Sequence, residues 1–208
     1  EQGVTSIAID KLVPYRNHRF TLYKGERLED MIQSIKKNGV ITPIIVRTMD
    51  NGKYEILSGH NRVYAAGQAG LTTVPAVVKI DLSDEDAEIY VVETNLIQRG
   101  FKDLKISEQA FAVGLRYSKL FDERKLKGIN DELYLIENGK PKPKDDVPVE
   151  HSTTREATAE QYGISSATVA RLLRVNKLID EFKELVDKEN IKLRSAVDIS
   201  FMTEEQQK

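Results

Sequence analysis

The stretch "LSGHNRVYAAGQAGL", Leu57–Leu71, contains the change from strand to helix on which the fold of the first half depends. Gly59 makes the turn, and three polar residues then open an alanine-rich helix: His60, Asn61 and Arg62. A turn of this kind either caps the helix or binds an anion at the unpaired N–H groups of the first helical turn. These residues by themselves leave both interpretations open.

The segments on both sides of this turn alternate between strand and helix patterns. Apolar residues at i, i+3, i+4 and i+7 predict a helix that begins at Glu26, and β-branched residues around Asn51-Gly52 predict a hairpin. The predicted elements are strands over 4–9 and 72–80, a hairpin over 43–57, and helices over 26–39 and 83–98. Together they predict a small mixed α/β domain over residues 1–100.

The second half of the sequence has a helical pattern throughout, apart from one polar segment. That segment, 122–152, contains three prolines and is predicted to be a long loop. The predicted helices cover 105–121, 153–162, 165–176, 178–189 and 192–200. We therefore expect an all-α domain over residues 101–208 and an α+β protein as a whole.

Composition excludes several classes of function. The 208 residues include no cysteine, which rules out disulfides, thiolate metal sites and cysteine catalysis. No apolar run approaches the ~20 residues that span a bilayer, and the first residues do not resemble a signal peptide. We therefore expect a cytoplasmic protein without membrane contact. The sequence lacks an initiator Met and stops within "TEEQQK", so we also expect it to be part of a longer protein.

Residues 154–176 have the organisation of a helix-turn-helix. Gly163 makes the sharp turn, Ile164 lies between the helices, and Ser165 caps the second helix. Short polar residues at the start of such a helix reach base edges, and arginines bind phosphates or guanine. The DNA-binding residues predicted on this basis are Arg155, Ser165, Ser166, Thr168, Arg171 and Arg174. An ordinary helical hairpin with a solvated basic face remains an alternative, since the net charge of −2 does not favour nucleic acid.

The segment "ETNLIQR", Glu93–Arg99, ends the last predicted helix of the first half. Glu93, Asn95 and Gln98 carry oxygen ligands of the kind that Mg²⁺ prefers, usually together with waters and substrate phosphates. A polar helix C-terminus without a metal is the alternative.

Three of these segments resemble motifs of the ParB chromosome and plasmid partition family. "IDKLVPYRNHRF" resembles the first box, L-x-P-N-P-x-Q-P-R, and "SGHNRVYAAGQAGLTTVPAVV" resembles the second, G-E-R-R-x-R-A-A. "ETNLIQR" resembles the third, E-N-x-Q-R. The matching residues are Leu12, Pro14, Arg19, Gly59, Arg62, Ala65, Ala66, Asn95, Gln98 and Arg99. The helix-turn-helix follows in the family's order, and "LRSAVDISFMTEEQQ" is similar to plasmid and mobile-element members.

The resemblance implies a ParB/sulfiredoxin-like N-terminal domain, an all-α helix-turn-helix domain, and a CTP-dependent DNA clamp. Such a clamp binds CTP and Mg²⁺, forms a homodimer through its N-terminal domains, and binds a palindromic parS-like site on double-stranded DNA. A Walker-type ATPase is the usual partner, and the protein is nucleoid- or plasmid-associated. The nucleotide-binding residues implied are Arg19, Gly59, His60, Asn61, Arg62, Thr94, Asn95, Gln98 and Arg99, with Asn95 and Glu93 on the metal side.

The sequence departs from the family pattern in all three boxes: the middle of the first box differs, the third box has one extra residue, and two substitutions concern the nucleotide site. His60 and Asn61 replace a Glu-Arg pair of the second box, and Thr94 replaces the Glu implicated in CTP hydrolysis. Glu93 is the candidate catalytic residue that could substitute for that Glu. A transcriptional repressor with a vestigial nucleotide pocket is therefore an alternative. A small-molecule kinase of the same fold is a more distant one, and sulfiredoxin activity is excluded because it needs a cysteine.

Overall fold

The computed structural model describes residues 3–118, 123–141 and 155–208. The chain forms two compact units. The first comprises Glu1–Ile97 and Gly128–Lys142, and the second comprises Gln98–Lys127 and Pro143–Lys208. In the described residues the first unit is mixed α/β and the second is helical, which confirms the predicted α+β class. The first boundary lies close to the predicted one after residue 100.

The first unit is built on a five-stranded mixed sheet with the order β1-β5-β3-β4-β2. β3 and β4 form the antiparallel hairpin predicted around Asn51-Gly52, and β5 lies parallel to β3. The strands are β1 Val4–Ala8, β2 Leu12–Pro14, β3 Ile44–Thr48, β4 Tyr54–Ser58 and β5 Thr73–Lys79. Since β4 is an interior strand and its last four residues are buried, the turn that follows it begins in the core of the unit.

Two helices cover the sheet's apolar residues. α1, Glu26–Asn38, and α2, His60–Gln68, pack against each other. The core that they share with the sheet contains Ile35 of α1, Ala65 and Ala66 of α2, and Ile44 of β3. α3, Asp84–Arg99, follows β5. Ser83 directly precedes this helix, and its hydroxyl accepts a hydrogen bond from the Asp86 N–H at 3.1 Å. The predicted helices of the first half are thereby confirmed.

The loop predicted over 122–152 was wrong for its first half. Glu123–Asn138 form a 16-residue helix, α5, and residues 142–152 lie outside the described residues. Ile129, Leu133 and Ile136 repeat at i, i+4 and i+7, so they share one face, and Leu133 is fully buried. The prolines that suggested a loop all follow residue 140, where they do not interrupt the helix.

The second unit packs short helices around α4, Ile106–Tyr117, and α7, Ser166–Val175. The two helices approach closely at Gly114, where an added Cβ would lie 2.3 Å from Asn176 Nδ2. The remaining helices are α6 Arg155–Tyr162, α8 Asp180–Asp187, α9 Leu193–Ile199 and α10 Glu204–Gln207. Within the described part of the chain, no helix has the length and apolar character that crossing a bilayer requires.

Candidate functional site

The turn between β4 and α2 requires a glycine and has no acidic residue in the helical turn that follows it. Gly59 is the N-cap of α2 and has φ 97° and ψ 23°, in the left-handed region. A Cβ at this position would lie 2.6 Å from Ile44 Cγ2, so only glycine fits. The first turn of α2 contains no acidic residue, and its leading N–H groups have no partner within the helix. This geometry favours an anion.

His60 and Asn61 hold the segment 15–23 against the start of α2. The Tyr15 N–H donates to His60 Nε2 at 3.3 Å, and the Tyr23 N–H donates to Asn61 Oδ1 at 2.8 Å. The ring of His18 stacks on that of His60 with a centroid distance of 3.7 Å. The prediction that these side chains bind phosphate stays a prediction, and the structure shows that they fasten the segment that resembles the first box. Arg19 of that segment is exposed.

Arg62 is deeply buried and uses its donors within the protein. Its Nη1 donates to the carbonyl oxygens of Thr42 and Pro43 at 2.8 and 2.9 Å. Its Nη2 donates to Ser58 Oγ at 3.1 Å and to the Glu137 carboxylate at 2.9 Å. Burial lowers the pKa of the guanidinium, and the Glu137 carboxylate opposes that shift. Arg62 therefore lies in the predicted site but is already paired with a carboxylate of α5.

A partly buried ion network that joins β3, β4 and the start of α3 was missed by sequence reasoning. Arg47 and Glu55 are cross-strand partners in the hairpin and form an ion pair at 2.6 Å, with Glu55 almost fully buried. Arg47 also pairs with Asp84 at the start of α3, as does Arg16. The signal was present in the sequence, because opposite charges at paired positions of buried strands indicate a cross-strand pair.

The motif Glu93–Arg99 forms the end of α3. Glu93, Thr94 and Asn95 are buried, whereas Gln98 and Arg99 in the last turn are partly exposed. Asn95 Nδ2 donates to the Val91 carbonyl at 2.8 Å, which leaves its Oδ1 as the atom that suits a cation. Because α3 is unbroken, Glu93 and Asn95 point to different sides of the helix and do not form one ligand pair.

In the residues that the structure describes, no group of three or more His, Asp or Glu side chains is placed to hold a metal ion. A magnesium site completed by waters and phosphates needs only one or two protein ligands. Asn95 fits such a site as a single ligand.

The helix-turn-helix is formed as the spacing predicts. Gly163 between α6 and α7 has φ 61°, and Ser165 caps α7 by accepting the Thr168 N–H at 3.1 Å. The Thr168 hydroxyl lies 2.9 Å from Ser165 Oγ, so both side chains serve the cap. Val169, Leu172 and Val175 of α7 are buried.

The predicted DNA-binding residues divide into two groups. Arg155 and Arg171 are exposed and Ser166 is partly exposed. Arg174 instead holds α7 to the end of α9. Its guanidinium donates to Ser200 Oγ and Ser200 O at 2.9 and 2.6 Å and lies 3.8 Å from the centre of the Phe201 ring.

Comparison with known families matches both units. A family model for the ParB N-terminal domain matches residues 1–95, and a model for the ParB HTH domain matches residues 145–208. Together they cover about three quarters of the sequence, in the family's order. The chain belongs to the ParB family. The segment between the two ParB domains, which contains α5, is matched by neither model.

Curated relatives of this ParB-family chain include nucleoid occlusion proteins. The one from Lysinibacillus sphaericus is 30% identical over 195 residues, covering 94% of this chain and 54% of the relative. The one from Geobacillus sp. is 29% identical over 184 residues, covering 88% and 53%. The chain therefore spans about half the length of the curated relatives it matches.

Two solved structures of C-terminally truncated ParB from Caulobacter crescentus are also similar. The complex with CTP-γ-S is 24% identical and has a TM-score of 0.41, covering 97% of this chain and 94% of that one. The complex with the centromeric parS site is 24% identical and has a TM-score of 0.48, covering 94% and 84%. Because both scores are below 0.5, the ParB assignment rests on the two domain models.

Proposed function

We propose that this chain is the nucleotide- and DNA-binding part of a ParB clamp that binds CTP and DNA and takes part in DNA segregation. Family membership of both domains supports the two ligands. The observation that carries the nucleotide half is the Gly59 turn, because its left-handed glycine and acid-free helix N-terminus suit phosphate oxygens. Homodimerisation through the N-terminal domains and a Walker-type ATPase partner belong to the same proposal.

The residues of the first unit have different proposed roles in binding the nucleotide. The backbone N–H groups at the start of α2 bind phosphate, and the Arg62 guanidinium supplies a permanent positive charge. His60 and Asn61 act indirectly, because they position the segment 15–23 beside the turn. Bound Mg²⁺ would neutralise the phosphates, with Asn95 Oδ1 as its protein ligand. Thr94, Gln98, Arg99 and Arg19 remain predicted contacts. Glu93 was the candidate for hydrolysis, but its position on a different side of the unbroken α3 from Asn95 argues against that role.

The helical unit is proposed to bind a palindromic site on double-stranded DNA through α7. Arg171 is the proposed base or phosphate contact on this helix, and Arg155 at the start of α6 is a proposed phosphate contact. Ser165 and Thr168 contribute by fixing the start of α7. Ser166 is the remaining short polar residue at the helix start that can reach a base edge.

Calorimetric titration of the chain with CTP, ATP and GTP in the presence of Mg²⁺ tests the nucleotide half. We expect selective binding of CTP, weakened in Asn95→Ala and unchanged in Asn38→Ala, a matched substitution at the exposed end of α1. Arg62→Ala is a poorer probe, because Arg62 also holds the carbonyls of Thr42 and Pro43. Equal binding of all three nucleotides would contradict the proposal.

A transcriptional repressor with a vestigial pocket is the second candidate. One observation favours it: Arg62 already has a carboxylate partner, Glu137, so the positive charge of the pocket is neutralised within the protein. A repressor of this kind would bind a specific DNA duplex tightly but bind none of the three nucleotides, with or without that DNA. The same titration, repeated with duplexes selected from a random pool, separates the two functions.

A further inference from the structure

α5 lies outside the two matched ParB segments but is integrated into the first unit. It falls between the residues matched by the two family models. Ile129 is 7% exposed and Leu133 is fully buried, so the helix is anchored by its apolar face. Its residues from Gly128 onward belong to the compact α/β unit. A helix from the segment between the matched domains is thus packed within the unit that has the proposed nucleotide site.

Two glutamates of α5 pair with two buried cations of that domain. Glu137 pairs with Arg62, and Glu132 pairs with Lys79 at the end of β5. The side chains of Arg62 and Lys79 are only 13% and 9% exposed. Tyr90 of α3 also donates to Glu132, at 2.6 Å. Through Glu132 and Glu137, α5 therefore places negative charge beside two largely buried cations of the unit.

The partners of Arg62 show which of them a ligand can replace. Three of the acceptors shown for Arg62 are neutral oxygens that belong to its supporting framework: Thr42 O, Pro43 O and Ser58 Oγ. Glu137 is the charged one. Carboxylate and phosphate oxygens accept from a guanidinium with the same geometry, so a phosphate can take the place of Glu137 without leaving the buried cation unpaired. Arg62 also belongs to the first turn of α2, where the anion-binding N–H groups lie.

We propose that Glu137 is an internal competitor for the anion site: its carboxylate occupies Arg62 until the phosphates of a nucleotide displace it. This inference rests on the proposed nucleotide site and adds its regulation. α5 is then an autoinhibitory element, and the nucleotide-bound state is one in which the last turn of α5 has left Arg62.

The position of Glu137 makes a local exchange feasible. Glu137 lies in the last turn of α5, which ends at Asn138 before Gly139. Terminal helical turns open at small cost, whereas segments with buried apolar residues do not. Leu133 and the pair of Glu132 with Lys79 hold the middle of the helix in place. Release of Glu137 therefore requires the end of α5 to move and leaves its anchor undisturbed.

Competition has a measurable thermodynamic consequence. A nucleotide that binds only the released state has its apparent affinity reduced by the fraction of chains in that state. If Glu137 is paired in roughly nine chains of ten, removing its charge increases affinity by about tenfold. The nucleotide in turn shifts the population of α5 toward the released form.

The test compares Glu137→Gln with Asp131→Asn in the full chain. Both substitutions remove one negative charge from α5, but Asp131 is exposed. CTP with Mg²⁺ and inorganic triphosphate are titrated into each protein. We expect Glu137→Gln to bind both probes about tenfold or more tightly than the wild type, with Asp131→Asn within about twofold of it.

The outcomes separate this inference from the proposed function. If the wild type binds CTP and Glu137→Gln binds it equally or more weakly, the competition is overturned and the proposed nucleotide site is supported. If none of the three proteins binds CTP or inorganic triphosphate, both the nucleotide site and the competition are overturned. Binding of inorganic triphosphate that tightens in Glu137→Gln, without selectivity for CTP, supports the competition and contradicts the clamp.

Hydrogen exchange of the wild-type chain gives a second measurement that does not depend on the folding of a variant. With saturating CTP and Mg²⁺, the amides of residues 135–139 should exchange faster, because the last turn of α5 is released. Amides around Leu133 should stay protected. Slower or unchanged exchange at 135–139 on binding would overturn the inference.

Discussion

Gly59 and Arg62 are the two residues of the β4–α2 turn on which the proposed site depends. The requirement for glycine is local, since it follows from a positive φ and from the contact that a Cβ would make with Ile44. The state of Arg62 is not local, because its anionic partner is 75 residues away in the sequence. Sequence reasoning therefore identified both residues but not the pairing that controls one of them.

Substitution of Gly59 by Ala should destabilise the chain. The alanine would need the left-handed conformation and would place its Cβ 2.6 Å from Ile44 Cγ2. We expect the free energy of unfolding to fall by about 1–3 kcal/mol, measured by denaturant titration. Gly67→Ala is the matched control in the same helix, where a Cβ meets open space, and it should be neutral or stabilise by up to about 1 kcal/mol. Equal effects of the two substitutions would contradict the close contact.

At the scale of elements, α7 has one exposed arginine and one arginine that packs against a neighbouring helix. Arg171 is exposed, whereas Arg174 lies over Phe201 and donates to Ser200. Both looked equivalent in the sequence, since both lie on the polar side of the predicted second helix. Their difference arises from α9, whose end reaches Arg174.

Substitution of Arg171 should therefore affect DNA affinity, whereas substitution of Arg174 should affect the free energy of unfolding. Arg171→Ala should weaken binding to a selected duplex by about 1–3 kcal/mol and leave the free energy of unfolding within about 0.5 kcal/mol. Arg174→Ala should lower the free energy of unfolding by about 1–2 kcal/mol, because it removes a cation–π contact and hydrogen bonds to Ser200. Fluorescence anisotropy with DNA and denaturant unfolding measure the two effects. Unchanged DNA affinity in Arg171→Ala would remove that residue from the interface.

For the whole molecule, two acids near the start of α3 contribute opposite pH dependences to the stability. Hydrogen bonds from Arg47 and Arg16 lower the pKa of Asp84, so its folded state binds a proton less readily than the unfolded chain. Burial raises the pKa of Glu88, against the opposing charges of Arg19 and Arg16. Asp84 thus contributes stability above about pH 4 that is lost as the pH falls. Glu88 has the opposite sign, since its burial is least unfavourable in acid.

Two variants should show these opposite signs in denaturant unfolding between about pH 3 and pH 7. Asp84→Asn should be less stable than the wild type at neutral pH, and the difference should shrink as the pH falls below about 4. Glu88→Gln should be more stable than the wild type at neutral pH and should lose that advantage as the pH falls through the raised pKa of Glu88. Parallel stability curves for the wild type and both variants would contradict both assignments.

The sequence by itself determined the helices of the first half, the β3–β4 hairpin, the helix-turn-helix and the need for glycine at position 59. These features depend on periodicity, turn chemistry and capping within a few residues of each other. Only the tertiary structure decided the partners of Arg62, Arg174 and Lys79, and the presence and packing of α5. Those pairings join residues far apart in the chain, so no local pattern specifies them.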